Sequence, residues 1–202
     1  MFNDYNGKQF VPDHPKQSEF ITSFYCSQKN LSKLFIDSLR SLNRKTNYKI
    51  TVKNNDNIEI YSKGFNELFK KYYKMHLEKD YSYVDENDDE IEYKIYIGYL
   101  KKSMFKTKNQ KLSFIAGVFL RYGTFLDKNK VRLTFANSPT QFKTSRDFLR
   151  KLGFKNLDIF TCKEIRTPCG QTITFELNKE YKSLFLKLQT IKTADLDESD
   201  CK

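Results

Sequence analysis

The residues that could act as nucleophiles, metal ligands or nucleotide-binding loops are scattered through this 202-residue sequence. The cysteines Cys26, Cys162, Cys169 and Cys201 form neither a CxxC pair nor a zinc-binding spacing, and the two histidines lie far apart. The sequence contains no GxGxxG or GxxxxGK[ST] pattern and no visible Ser-His-Asp or Cys-His constellation. These observations argue against a nucleotide-dependent enzyme, and the cysteines are expected to be free thiols in a reducing compartment.

The charge of the chain points to a different kind of chemistry. There are 36 Lys and Arg residues against 25 Asp and Glu residues, which gives a formal net charge of +11. Such a balance favours a polyanionic partner, because Lys and Arg release counterions from a phosphate backbone. The acids are concentrated in two runs, at 85–92 and 195–200, each interpreted as a solvated linker or a frayed end.

An internal repeat in the sequence predicts the order of helices and strands along the chain. DSLRSLN at 37–43 and DFLRKLG at 147–153 match at an offset of 110 residues. Each copy has the predicted order strand, helix, strand, strand, helix. The first copy places these elements at 19–27, about 30–42, 48–54, 57–63 and 65–72, and the second at 131–138, about 140–152, 157–165, 171–178 and 181–188. The second copy also has a preceding helix and strand within 112–130.

That preceding segment carries a family resemblance. The stretch IAGVFLRYGTF at 115–125 resembles the LAGLIDADG motif of homing endonucleases and its usual Ser-Phe continuation. Ala116, Gly117, Gly123 and Phe125 match the motif. Conservative replacements occupy the other apolar and hydroxyl positions, namely Ile115, Val118, Phe119 and Thr124. Because the order of the following elements also fits the family repeat, the resemblance covers essentially the whole chain, more weakly in the first copy.

The resemblance implies an α+β fold of duplicated αββαββα repeats whose strands form two antiparallel sheets in a saddle, with the first repeat truncated at its N-terminus. In the family, two motif helices pack side by side at a pseudo-twofold axis, and small residues allow their close approach. Gly123 is expected to end the helix and begin a strand. The residues expected to pack the motif helix are Ile115, Ala116, Gly117, Phe119 and Gly123.

Two motif positions differ from those of family members that cut DNA. Such members place an acid just before the final glycine, where it binds a divalent metal at the scissile phosphate. This sequence has Tyr122 there and Leu120 at the other acidic position. A phenol is a poor ligand for a hard cation, because its pKa lies near ~10. The resemblance therefore implies a degenerate site without a catalytic residue.

The first copy offers no clear replacement for the missing acid. Asp4-Tyr5-Asn6-Gly7 is either the end of a motif, with Asn6 at the metal position, or a polar N-terminal turn. Asn6 supplies no carboxylate, although Asp4 or Asp127 is an alternative source of one. No cofactor or bound metal is expected, and Mg²⁺ is needed only if the chain is an endonuclease.

The resemblance also assigns a role to the polar strand positions. In the family, one face of each sheet packs on helices and the other reads nucleic acid, which requires polar and basic residues at alternate positions. The expected nucleic-acid-binding residues are Lys8, Gln9, Lys49, Thr51, Lys53, Lys128, Lys130, Arg132, Thr134, Lys163 and Arg166.

We therefore expect a non-catalytic protein that binds duplex DNA or structured RNA, with an organellar ribonucleoprotein as one setting. An active endonuclease or maturase is the first alternative, and a protein-interaction scaffold without nucleic acid is the second. No membrane partner is expected, because no apolar run approaches the ~20 residues of a membrane span. No homodimer is required, because the repeat is internal.

The expected organisation has four parts: a first repeat at 1–80, an acidic linker and connecting segment at 81–110, a second repeat at 111–192 and an acidic tail at 193–202. The N-terminus does not resemble a secretion signal or a transit peptide. The protein is accordingly expected to be intracellular, either mitochondrial and organelle-encoded or cytoplasmic.

Overall fold

The computed structural model describes residues 19–25, 28–54, 57–84, 90–136, 138–161 and 170–193, without the side chains of 78–97 and 139. Over these ranges the chain is α+β, with five α-helices and three antiparallel sheets. None of these helices is both long enough and apolar enough to span a bilayer.

The first half consists of a three-stranded sheet covered by two helices. Its elements, in chain order, are β1 (Phe20–Tyr25), α1 (Lys29–Asn43), β2 (Thr51–Asn54), β3 (Asn57–Tyr61) and α2 (Lys63–Lys70). β3 lies between β1 and β2 and is antiparallel to both. Ile21 and Ile60 of the sheet, Leu39 of α1 and Phe65 of α2 are fully buried and form the core of this half.

An antiparallel hairpin of β4 (Tyr73–Val84) and β5 (Glu90–Leu100) follows the first half. This hairpin corrects the expectation of a linker at 81–110. Tyrosine recurs in both strands and isoleucine in β5, and the strand preference of these residues outweighs the acids near the turn. At its base, Tyr73 lies opposite Leu100, and both are buried in the core of the second half. Of the two alternatives open for 93–105, the strand is correct as far as Leu100.

The second half is a four-stranded sheet with three helices. Its elements, in chain order, are α3 (Lys108–Tyr122), β6 (Gly123–Phe125), β7 (Lys130–Ala136), α4 (Pro139–Lys151), β8 (Lys155–Thr161), β9 (Gly170–Glu176) and α5 (Lys179–Thr193). The strand order is β6-β7-β9-β8. Val131, Leu133 and Phe135 are fully buried while the residues between them are exposed, which confirms the predicted alternation in β7.

The two halves share one topology. β9 lies between β7 and β8, as β3 lies between β1 and β2. The repeat-related residues Asp37 and Asp147 lie on α1 and α4, the helices that follow β1 and β7. This confirms the predicted order of five elements in each half. A motif helix of the first copy would fall within 1–18, outside the described residues.

Helix α3 ends at Gly123, as predicted, but begins four residues before the expected start at 112. The hydroxyl of Thr107 accepts the N–H of Gln110 at 3.1 Å, and the Thr107 N–H donates to the Gln110 side chain at 2.9 Å. This capping box satisfies two N–H groups that the helix leaves unpaired. At the other end, Gly123 adopts an extended backbone, and a Cβ there would lie 2.6 Å from the carbonyl oxygen of Phe119. The helix therefore stops at a position that only glycine fits.

Candidate nucleic-acid interface

Leu120 and Tyr122, at the end of α3, are packing residues. Leu120 is half-buried and packs against the hydrophobic cores of both halves. Tyr122 is half-buried, and its ring centre lies 5.5 Å from that of Phe135. An apolar and an aromatic side chain therefore connect this helix end to the cores.

Two cations lie at the same helix end. Arg121 Nη1 donates to the Ser23 carbonyl oxygen across the junction of the halves at 3.4 Å. The ammonium of Lys192 in α5 donates to the carbonyl oxygen of Gly123. Burial lowers the pKa of Lys192 below its ordinary value. Both cations complement the negative end of the α3 dipole.

The side chains at this helix end do not fit a divalent metal. Leu120 and Tyr122 present no carboxylate, and the charges of Arg121 and Lys192 oppose a second cation. In the described part of the chain, no group of three His, Cys, Asp or Glu side chains is placed to hold a metal ion. Asp127 has a structural role, because its carboxylate accepts the N–H groups of Asn129 and Lys130 at 2.7 and 2.8 Å in the β6–β7 turn.

Some of the motif-helix residues pack in the core of the second half, and others face the first half. Ile115 and Phe119 are fully buried in the core of the second half, and Ala116 packs against its edge. Gly117 faces the first half instead, where it lines a small cavity with Leu120 and Arg121. The first-half residues lining this cavity are Thr22, Phe24, Leu31, Leu34, Phe35 and Ser38. Gly117, Leu120 and Arg121 therefore belong to the junction of the two halves on the α3 side.

On the first sheet, the outer face is the one that carries Ser23, Tyr25, Thr51, Lys53, Glu59 and Tyr61, opposite the buried Ile60 and Phe24. Lys53 is exposed, and its cross-strand neighbour is Glu59. The Lys53 ammonium lies 4.9 Å from the ring centre of Tyr61. Lys49 is exposed just before β2, and Thr51 is half-buried within it.

Tyr61 and Glu59 form a polar pair on this outer face. The Tyr61 hydroxyl donates to the Glu59 carboxylate at 2.7 Å. Burial, together with this hydrogen bond and the charge of Glu59, raises the pKa of Tyr61 to about 12. The phenol therefore remains neutral at physiological pH and serves as a donor.

On the second sheet, the outer face carries the alternate positions of β7, namely Lys130, Arg132 and Thr134, all of which are exposed. Cross-strand pairing places them in three rows: Lys130–Glu176–Lys155, Arg132–Thr174–Asp158 and Thr134–Thr172–Phe160. Each cation-bearing row therefore also contains a carboxylate. The expected basic positions are present, but the face is mixed in charge.

Of the remaining expected residues, only Lys128 is among those that the structure describes. Lys128 is exposed in the β6–β7 turn. Asn6, Lys8, Gln9, Lys163 and Arg166 lie outside the described residues.

Two exposed aromatic residues on the outer sheet faces and a lysine-rich stretch at 98–126 were not identified from the sequence. Tyr25 is 70% exposed on the first sheet and Phe160 is 61% exposed on the second. In β8, an irregular register between Lys155 and Asp158 disturbs the alternation that would have revealed its outer face. Residues 98–126 contain no carboxylate and five lysines, Lys101, Lys102, Lys106, Lys108 and Lys111. This composition shift was the signal for a basic stretch beside the sheets.

Comparison with known proteins supports the fold. No protein-family model and no curated protein matches the sequence. The chain is similar to a solved structure described as "Structures and dynamics of mesophilic variants from the homing endonuclease I-DmoI", with 13% sequence identity and a TM-score of 0.50. The similarity covers 95% of this chain and 91% of that chain. It shows that the expected LAGLIDADG-like homing-endonuclease fold is correct, and at this identity it concerns the fold alone.

Proposed function

We propose that this chain binds nucleic acid through the outer faces of its three-stranded and four-stranded sheets, and that it does not cut the bound strand. The observation that carries the binding proposal is the exposure of Lys53 on one sheet, with Lys49 just before its strand β2, and of Lys130 and Arg132 on the other sheet. The order β1-β3-β2 of the first sheet corresponds to β7-β9-β8 of the second, so a nucleic-acid strand that crossed both sheets would meet related surfaces. The similarity of the fold to that of a homing endonuclease supports the same reading.

The chemistry at the end of α3 supports binding without cleavage. Two-metal hydrolysis needs carboxylates that hold the cations at the scissile phosphate. Here Leu120 and Tyr122 occupy the acidic motif positions, and the charges of Arg121 and Lys192 lie at the same helix end. Binding in this proposal is independent of Mg²⁺, because Lys and Arg side chains contact phosphates without a metal.

The test is a fluorescence anisotropy titration of a labelled DNA duplex and a labelled hairpin RNA, each measured in EDTA and in Mg²⁺. We expect saturable binding in EDTA with a dissociation constant of about 10⁻⁴ to 10⁻⁶ M or tighter for a non-specific sequence. Both polymers should remain full-length in Mg²⁺ on a denaturing gel. Binding that requires Mg²⁺, or cleavage that disappears in EDTA, would contradict the proposal.

A further inference from the structure

Resting on the proposed function, we propose that the outer sheet faces bind unpaired nucleobases, with Phe160 and Tyr25 as stacking platforms. The ligand is a strand with exposed bases, such as the loop of a structured RNA, rather than a fully paired duplex. Aromatic side chains stack on the faces of unpaired bases, which a duplex keeps stacked on one another.

Phe160 lies where a base could reach it. Its neighbour Ile159 is half-buried against the core of the second half, whereas Phe160 lies on the opposite face and is 61% exposed. Across the sheet, Phe160 pairs with Thr172, and Thr172 pairs with Thr134. Two strand spacings separate Phe160 from Thr134, a distance of about 10 Å. The row therefore offers one aromatic face and two hydroxyl groups within the span of a nucleotide or two.

The charged side chains around Phe160 suit a surface that contacts nucleobases better than one that contacts only phosphates. The other two rows of this face contain three cations, Lys130, Arg132 and Lys155, and two carboxylates, Asp158 and Glu176, so the cations outnumber the carboxylates by one. A surface that only follows a phosphate backbone gains from cations and loses from carboxylates. Unpaired bases present N–H groups to carboxylates and carbonyl groups to cations, so a mixed face suits them.

Tyr25 supplies a second platform on the related sheet. It lies on the side of β1 opposite Phe24, which is buried in the core of the first half, and it is 70% exposed. Its N–H donates to the Gln28 side chain at 3.2 Å, which holds the end of the strand. Lys53 and Tyr61 lie on the same outer face, with the Lys53 ammonium 4.9 Å from the centre of the Tyr61 ring.

Single exposed aromatic residues are common on protein surfaces and need no explanation. Here, however, the two residues lie on the outer faces of two sheets that share a topology, beside the cations already assigned to nucleic acid. Neither ring belongs to a hydrophobic core, so substituting either leaves the cores unchanged.

The experiment compares three probes of matched length by anisotropy: a hairpin RNA with an unpaired loop, a single-stranded DNA that cannot pair with itself, and the duplex DNA formed from that strand. The wild-type chain should bind the two probes with unpaired bases at least about tenfold more tightly than the duplex. Both of these probes present unpaired bases, so a preference for the RNA would indicate that the 2′-hydroxyl group also contributes to the affinity.

Phe160→Ala and Tyr25→Ala should each weaken binding to the unpaired probes roughly 5- to 100-fold, with little change for the duplex. Phe160→Tyr should keep most of the affinity because it keeps the ring. Leu186→Ala, which removes a side chain 46% exposed on α5, is the matched control and should have no effect. Unchanged thermal melting would show that each variant remains folded.

Equal wild-type affinity for duplex and unpaired probes, with no loss in either aromatic variant, would overturn this inference and leave the proposed function standing. Absence of binding to all three probes would overturn both.

Discussion

Arg121 of α3 donates from its Nη1 atom to the carbonyl oxygen of Ser23 in β1 at 3.4 Å, and its guanidinium lies 5.6 Å from the ring centre of Phe24. One side chain at the end of the motif helix therefore contacts the backbone and the core of the other half. Under the proposed function both sheets bind the same ligand, so this contact would bear on function as well as on stability.

Replacing Arg121 with methionine should lower the free energy of unfolding by about 1 kcal/mol, through loss of the hydrogen bond and of the contact with Phe24. It should also weaken nucleic-acid binding, because the two halves are held together less firmly. Urea denaturation and anisotropy measure the two effects. Arg150→Met, at an exposed position of α4, is the control. Equal effects of the two substitutions would argue against a special role for Arg121.

Gly123 is predicted to be intolerant of any side chain. A Cβ at this position would lie 2.6 Å from the Phe119 carbonyl oxygen and would also meet the Phe119 ring, which is fully buried. Gly123→Ala should therefore lower stability by about 2 to 3 kcal/mol. Gly170→Ala is the matched control, because no atom of the described residues lies within 4 Å of its Cβ position. Similar melting temperatures for the two variants would contradict the predicted crowding.

Leu120 joins the two hydrophobic cores, so its truncation should be more costly than its partial exposure suggests. We expect Leu120→Ala to lower the free energy of unfolding by about 2 kcal/mol, with a loss felt in both halves. Leu186→Ala should change it by less than about 0.5 kcal/mol, because that side chain is 46% exposed. Hydrogen exchange would locate the effect, and protection lost in the second half alone would contradict a bridging role.

Asp147 should contribute to stability in a pH-dependent manner. Burial raises its pKa, but the hydrogen bonds and charges of Lys102, at 2.6 Å, and Arg146 outweigh burial, so the pKa lies below the ordinary value of 3.8. A carboxyl group whose pKa is lower in the folded state than in the unfolded state stabilises the fold fully at a pH above its unfolded-state pKa. This contribution is lost as the pH falls through the folded-state pKa. Stability due to Asp147 should accordingly be complete above about pH 4 and decline below it.

Asp147→Asn tests this dependence in unfolding measurements from pH 7 to pH 2. The variant should be less stable than the wild type near neutral pH, and the difference should shrink in acid. Its repeat-related counterpart Asp37 is 55% exposed and lies 3.5 Å from Arg40. Asp37→Asn should have a much smaller effect. A stability difference for Asp147→Asn that does not vary with pH would disprove the charge-based explanation.

The parts of the fold with local patterns were predictable from the sequence. The alternation of Val131, Leu133 and Phe135 identified β7, and the repeated Asp-x-Leu-Arg pattern identified α1 and α4. These signals arise from residues close in sequence, where the periods of strand and helix are visible. The repeat then fixed the order of elements in both halves.

Features that depend on pairing between distant residues were not predictable. The acidic run at 85–92 was expected to be a solvated linker, yet Glu90 pairs with Val84 and begins β5. The carboxylates Asp158 and Glu176 join the rows of Arg132 and Lys130 only through the cross-strand register. A one-residue change in that register would move each side chain to the other face, so single-strand patterns cannot reveal the composition of a sheet surface.

The most direct test of nucleic-acid binding by the outer faces is the salt dependence of affinity in two variants of equal charge. One carries Lys49→Ala, Lys53→Ala and Arg132→Ala on the sheets, and the other carries Lys33→Ala, Lys143→Ala and Lys187→Ala at exposed helix positions. The sheet variant should bind more weakly, and its slope of log affinity against log salt should fall by up to about 0.9 for each phosphate contact removed. The helix variant should keep the wild-type slope. Equal slopes for the two variants would contradict binding through the sheets.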